Sequence, residues 1–223
     1  MPQPALTRFL TNKWTRRFIF VLCLIPLAWL WWRWHNHDLT ANAREFVARY
    51  TGDWTMNMLL ISLAIMPLRR VPGLNPLIGY RRMLGLFAFF YGCLHLLHYI
   101  VLDLQFDWVV LQDDLTSRRF FIAGAIAWTL LLPLAVTSTN GWIRRLGKNW
   151  ARLHMLVYVS VIVASIHYIW QWKGISIPVL YYPGFALALL LMRVVLAIDK
   201  RRRASRAKRA PVVAARGILN RSA

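Results

Sequence analysis

Acidic side chains are scarce: 8 Asp and Glu stand against 28 Lys and Arg, for a formal net charge of +20 over 223 residues. That balance alone would suggest a nucleic-acid partner; the placement of the charges, below, argues for none. Cysteine is scarcer still. Cys23 and Cys93 both lie in apolar stretches without a CxxC pair, so they read as packing residues and signal neither a disulfide nor a metal cluster. There is no GxGxxG, no repeat, and no low-complexity stretch before the C-terminal segment. The first apolar run lacks a small-residue cleavage site. It ends in Trp31, Trp32, Arg33 and Trp34, and reads as an uncleaved span rather than a signal peptide.

What is abundant is hydrocarbon. The chain is 58% hydrophobic, and the excess is gathered into six runs, 18–34, 54–68, 83–102, 120–136, 150–172 and 177–198. About 20 apolar residues cross ~30 Å of hydrocarbon as a helix. The second run is short and closes at Pro67, yet polar segments bound it on each side. The fold expected is therefore all-α, a polytopic membrane protein with a bundle of six transmembrane helices.

Charge placement supports that count. Six crossings put Arg8 to Arg17, Arg69 to Arg82, Arg144 to Arg152 and Lys200 to Arg221 on one side, 21 of the 28 basic residues. The other side takes Arg33, Arg44, Arg49, Arg118, Arg119 and Lys173. It also takes seven of the eight acids: Asp38, Glu45, Asp53, Asp103, Asp107, Asp113 and Asp114. The positive-inside rule then places both termini in the cytoplasm. Residues 1–17 form a basic cytoplasmic N-terminus, 18–198 the six-helix domain, and 199–223 a basic, disordered tail lying against anionic membrane lipid. Tryptophans cluster where the interfaces fall, among them Trp29, Trp31, Trp32, Trp34, Trp108, Trp170 and Trp172 on the outer side and Trp14, Trp142 and Trp150 on the inner.

Ionisable groups inside a bilayer are costly and mark function. The third run carries His95 and His98, the fifth His154 and His167; His35 and His37 read as solvated loop side chains. His95 falls roughly 18 Å along its helix and His167 roughly 25 Å along its own, both in the outer half, with His154 only about 6 Å from the inner edge. Two histidines at one depth on neighbouring helices can clamp one iron, and two levels suggest two redox centres. Arg81, Gly85, Ala88, Gly92, His95 and Tyr99 recur at steps of 4, 3, 4, 3 and 4, within about 80° of one another. Such a stripe is either a groove for a flat macrocycle, with Arg81 to hold a carboxylate, or a surface for close helix packing. His154 and His167 face about 140° apart on an ideal helix. They cannot address one stack without a bend or different approach angles. His98, about 60° from His95, reads as a rival ligand, a propionate partner, or a buried group hydrogen-bonded to a neighbour; the last is preferred.

Three segments, YRRMLGLFAFFYGCLHLLHYIVLD (80–103), AVTSTN (135–140) and LGKNWARLHMLVYVSVIVASIHYIW (146–170), together resemble the MsrQ family, also called YedZ. These are haem-binding membrane subunits of bacterial methionine sulfoxide reductase systems, within the wider ferric reductase-like transmembrane family. The resemblance covers about residues 18–198. It implies haem b, one or two groups, with iron held by His95, His154 and His167. It also implies a periplasmic molybdopterin-containing partner, MsrP, electrons from the quinone pool, an associated FMN, and a location in the bacterial inner membrane. His98 has no counterpart in the expected pattern.

About 24 residues follow the sixth run, too few for the flavin and nicotinamide domain that ferric reductases and NADPH oxidases carry. The expectation is an electron-transfer subunit whose partner does the substrate chemistry. His95 and His167 would ligate an outer haem and His154 an inner centre, with Arg81, favoured by its place on the stripe, and Arg82 near its propionates or in its coordination sphere, and Gly85 and Gly92 lining the groove. A stand-alone quinol- or metal-reducing cytochrome would work without the partner. A histidine-lined proton-coupled transporter would show no Soret band, and the runs lack the buried Asp or Glu it usually needs. The acidic outer loops are the expected docking side.

Overall fold

In hydrocarbon every backbone N–H and C=O must be satisfied within the protein, and a helix does this within one segment. All regular structure in the computed structural model is helical, over the residues it describes, 5–172 and 177–219 without the side chains of 177, 178 and 206–219. Lys173 and Arg221, and the side chains of Arg206, Lys208, Arg209 and Arg216, lie outside that description. The helices are α1 (Ala5–Thr11), α2 (Lys13–His35), α3 (Ala43–Leu68), α4 (Arg81–His98), α5 (Trp108–Ser117), α6 (Arg119–Val136), α7 (Asn140–Leu146), α8 (Lys148–Leu153), α9 (Leu156–Gln171) and α10 (Ile177–Leu219). A 3₁₀ turn, Asn75–Tyr80, leads into α4, and a π-helical turn, Tyr99–Asp103, continues it.

Five helical stretches are long and apolar enough to cross a membrane: Lys13–His35, Asn75–Asp103, Arg119–Val136, Lys148–Gln171 and Val179–Ser205. Their outward faces are large apolar side chains, such as Val21, Ile25, Leu187, Val194 and Val195, a surface that suits lipid and would not suit water. The chain is a multi-pass membrane protein.

α3 stands apart. It begins at Ala43, well before the apolar run at Trp54, and its 26 residues are ample for a span, but its composition is not. Its lower hydropathy follows from its place. Met56, Met58, Leu59, Leu60, Ser62, Leu63 and Ile65 are buried, so this helix is wrapped by protein and has little lipid to face. α10 departs from expectation differently. It does not end with the apolar run at Ile198 but continues through the basic segment, where Arg, Lys and Ala are strong helix formers.

The helices close into a ring. α3 packs on α4 and α10, α4 on α6, α6 on α9, and α9 on α10, with α2 outside against α4. Inter-helix hydrogen bonds pin the ring. The Tyr91 hydroxyl donates to Cys23 O at 2.7 Å, Ser160 Oγ to Ala127 O at 3.0 Å, and Ser62 Oγ to Arg81 O at 3.1 Å. The TST motif ends α6 and starts α7: Thr137 and Ser138 return their hydroxyls to Pro133 O and Leu134 O, and Thr139 caps Trp142 N. Gly147, at φ 50°, then makes the turn between α7 and α8 that a side chain would strain.

The ends of the bundle differ in charge. At the end carrying Asp103, arginines have carboxylate partners: Arg33 with Asp38 (3.3 Å), Arg49 with Glu45 (2.7 Å) and Arg118 with Asp114 (2.9 Å). At the opposite, basic end the only such pair among the described residues is Arg203 with Asp199.

Candidate functional site

α4 and α9 do not lie along one another; they face across the ring, separated by α3 and α10 on one side and α6 on the other. His95 from α4 and His167 from α9 close that gap, with ring centroids 6.1 Å apart and planes at 77°. The expected pairing at one depth is met, across the bundle rather than between adjacent helices.

Both imidazoles are held alike. His95 Nδ1 lies 3.0 Å from Ala48 O, and His167 Nδ1 lies 2.7 Å from Phe120 O. A carbonyl only accepts, so the proton sits on Nδ1 and Nε2 keeps its lone pair. Four residues beyond each carbonyl stands a glycine, Gly52 in α3 and Gly124 in α6. A helical side chain covers the turn before its own Cα, so a Cβ there would screen the carbonyl. Built on Gly52, a Cβ meets His95 Cε1 at 3.3 Å; built on Gly124, it meets His167 at 2.8 Å. The two glycines are what let the rings reach the main chain.

His154 lies at the basic end. Here the helix breaks: α8 stops at Leu153 and α9 starts at Leu156, with three-residue-back bonds from Met155 N to Arg152 O and Tyr158 N to Met155 O. The turn interrupts the α-helical bonding between His154 and His167 without bringing the two rings to one stack. His154 Nδ1 lies 3.1 Å from Trp150 O, and its Nε2 is buried without a partner. The Trp150 indole stacks on the imidazole at 3.9 Å and is itself fixed by donating to Thr137 O at 2.9 Å. Arg81 opens α4, its carbonyl accepting from Ser62 Oγ at 3.1 Å. Arg82 turns aside and donates to Asn140 Oδ1 at 2.7 Å. Gly85 looks onto Ser62 Oγ (3.8 Å), and Gly92 onto Thr55 and Trp128 (both 3.6 Å), so both lie in helix contacts between the two histidine levels.

Two expectations change. His98 is buried, but neither ring nitrogen has a hydrogen bond; the Asp103 carboxylate lies 3.7 Å from its Nδ1. The hydrogen-bonded reading preferred for it is not met. Asp114 is not a surface acid: it is 1% exposed, accepting from Tyr99 at 2.6 Å and paired with Arg118. Asp103, Asp107 and Asp113 remain exposed. Gly52 and Gly124 were not singled out from sequence, and Trp150 only as an interface tryptophan. The signal for Trp150 was there, four residues before His154; the glycines lie on other helices and carry none.

Among the described residues no three His, Cys, Asp or Glu side chains gather to hold a bare ion. Single histidines with a free Nε2 instead suit a metal that arrives inside its own macrocycle. Two imidazoles sharing one metal, each bonded at about 2.0–2.1 Å, have ring centres roughly 6 Å apart, which the His95–His167 separation matches. Gly124→Ala should crowd His167 and lower stability by about 1–3 kcal/mol, read as a fall in thermal midpoint of the detergent-purified protein. Gly85→Ala, in ordinary contact, should change it little; equal effects would contradict the steric role of Gly124.

Residues 51–165 match the model of a family described as ferric reductase like transmembrane component. Three curated relatives bear the name protein-methionine-sulfoxide reductase heme-binding subunit MsrQ. The one from Caulobacter vibrioides is 44% identical, over 79% of this chain and 84% of its own. That from Rhodospirillum rubrum is 45% identical over 82% and 89%, and that from Xanthomonas axonopodis pv. citri 41% over 80% and 85%. No solved structure matches the chain. With identity at this level across most of both chains, the chain belongs to the MsrQ family of ferric reductase-like transmembrane proteins.

Proposed function

We propose that this chain is a haem b electron-transfer subunit of the bacterial inner membrane. It passes electrons from the respiratory quinone pool to a periplasmic molybdopterin-containing methionine sulfoxide reductase, MsrP, which repairs oxidised periplasmic proteins. The relatives' name supplies the system. The observation that carries the reading is that His95, His154 and His167 each commit Nδ1 to a main-chain carbonyl and leave Nε2 free inside apolar helices. A histidine so fixed in tautomer and orientation is a stronger ligand.

His95 and His167 would hold the iron of an outer haem, and His154 that of an inner one. A bound haem accepts and releases one electron at a time. The chain's own residues do the rest. Ala48, Phe120 and Trp150 hold the Nδ1 protons through their carbonyls, Gly52 and Gly124 admit the rings, and the Trp150 indole sets the plane of His154. Arg81 and Arg82, at the start of α4, would answer the carboxylates of the inner group. Gly85 and Gly92 keep large side chains out of the space between the two levels. His154 and His167 are thirteen residues apart, so those levels stand roughly 20 Å apart along the helix axis. Reduction of the sulfoxide belongs to the partner.

Residues 18–198 form the haem domain, flanked by basic cytoplasmic segments 1–17 and 199–223. α3 is the sixth span, and both termini are cytoplasmic. The carboxylate-paired arginines of one end and the acid-poor basic end support that orientation. Exposed Asp103, Asp107 and Asp113 form the docking side.

Purified protein should give a b-type reduced-minus-oxidised spectrum. A pyridine haemochrome count should fall by one equivalent in His95→Ala or His167→Ala, and by the other in His154→Ala. A well-folded wild type without haem would sink this reading, and full activity without the periplasmic partner would make the chain a stand-alone cytochrome. Reporter fusions after Ser205 should be active only as cytoplasmic reporters, and fusions at Thr40 and at Val110 only as periplasmic ones; opposite senses at Thr40 and Val110 would remove the six-span topology. Neutralising Asp103, Asp107 and Asp113 together should slow reduction of the partner in low salt and matter less as salt is raised. An unchanged low-salt rate would place docking elsewhere.

A further inference from the structure

A groove of about 830 Å³ opens at the basic end of the bundle, and no histidine lines it. Lys13, Arg16, Arg17, Phe20 and Val21 line it from α2. Steps of three and four place these residues on one helix face. Arg82, Met83 and Leu86 line it from α4, and Ser138, Thr139 and Asn140 from the turn that ends α6. Thr139 Oγ1 accepts from Trp142 N, which leaves its O–H free to donate.

Both helices run inward from the basic end, and both grade the same way. Cations come first. Apolar side chains follow one turn, roughly 6 Å, deeper: Phe20 and Val21 after Arg16 and Arg17, Leu86 after Arg82. These three are exposed, within stretches apolar enough to cross a membrane. Trp14 is exposed too, with the Arg17 guanidinium 4.9 Å from its ring centre, as suits an indole at headgroup level.

The cations are fixed from behind. The Tyr80 hydroxyl, just ahead of α4, donates to Leu10 O at 2.6 Å, and Thr15 Oγ1 donates to Phe9 O at 2.7 Å. The first turn of α2 is thereby tied to the start of α4. Among the described residues none of Lys13, Arg16 and Arg17 pairs with a carboxylate. Arg82 gives its Nη1 to Asn140 Oδ1 and is left to the inner centre.

We propose that this groove binds one anionic phospholipid. Its phosphate lies among Lys13, Arg16 and Arg17, within reach of the Thr139 hydroxyl, and its acyl chains cover Phe20, Val21 and Leu86. Unpaired cations between membrane helices select an anionic headgroup. The apolar half selects a lipid among anions. A free phosphate would leave that half uncovered, and an acidic soluble protein would have to enter hydrocarbon to reach it. The lipid fastens α2, which lies outside the ring, to α4. The proposal needs the membrane and not the haem, so protein that carries no haem would leave it standing.

The test is native mass spectrometry of the full-length protein in detergent, titrated with cardiolipin or with phosphatidylcholine, together with thermal midpoints. Wild type should keep one cardiolipin and no phosphatidylcholine, and cardiolipin should raise its midpoint. Lys13→Gln, Arg16→Gln and Arg17→Gln together should weaken cardiolipin binding at least about tenfold and abolish the rise. Arg16→Gln alone, at an exposed position, should lose part of both. Arg144→Gln, Lys148→Gln and Arg152→Gln together remove the same charge from exposed positions at the same end and should lose neither. Equal losses in the two triple variants would mean diffuse attraction to the membrane and overturn the proposal. Groove variants that bind as wild type does overturn it as well. So does a midpoint raised as far by inorganic phosphate or by polyglutamate, neither of which has acyl chains.

Discussion

The hydrogen bond from a histidine Nδ1–H to a main-chain carbonyl is the constraint from which the rest of the site follows. A helical carbonyl already accepts one bond from its own helix, but it has a second lone pair. Inside a membrane no water competes for that lone pair, so a side chain that reaches it is held in one orientation. In α3 and α6 the reach is possible because Gly52 and Gly124 leave the carbonyls of Ala48 and Phe120 bare. The ring that donates there has its other nitrogen fixed in direction and in protonation. His154 achieves the same end locally, against the carbonyl four residues earlier on its own chain. The tight packing of α3 on α4 and of α6 on α9 is what keeps the carbonyl and its histidine together.

This explains what the sequence could and could not tell. Apolar runs and charge segregation are summed over many residues, so the helical class and the membrane were legible. The depths of His95 and His167 were legible too, because rise per residue is nearly constant. Which surface faces a histidine is a property of another helix, so Gly52 and Gly124 carried no mark. The spacing of His154 and His167 told that the two face apart, and the structure pairs His167 with His95 instead. Asp114 looked like its acidic neighbours because sequence does not show that Tyr99 and Arg118 enclose it.

The two ends of the bundle treat charge differently. Where carboxylates are at hand, arginines are tied into pairs and become part of the scaffold. At the basic end the cations face lipid headgroups, solvent, or the interior beside His154. A cation without a carboxylate keeps its field, and in a medium of low dielectric that field acts over a longer distance than in water. The shortage of acid at the basic end is therefore the electrostatic setting of His154 as well.

The modest hydropathy of α3 has a consequence for how the protein is made. A segment too polar to partition into lipid alone enters the membrane with a neighbour that shields it. α3 has such a neighbour in α4, joined to it by the short stretch through Asn75–Tyr80 and packed along it. On the six-span topology proposed above, the two would insert as a helical hairpin. α3 carries the carbonyl of Ala48 and α4 carries His95, so half of the His95–His167 site would be assembled in the act of insertion, before α6 and α9 are synthesised.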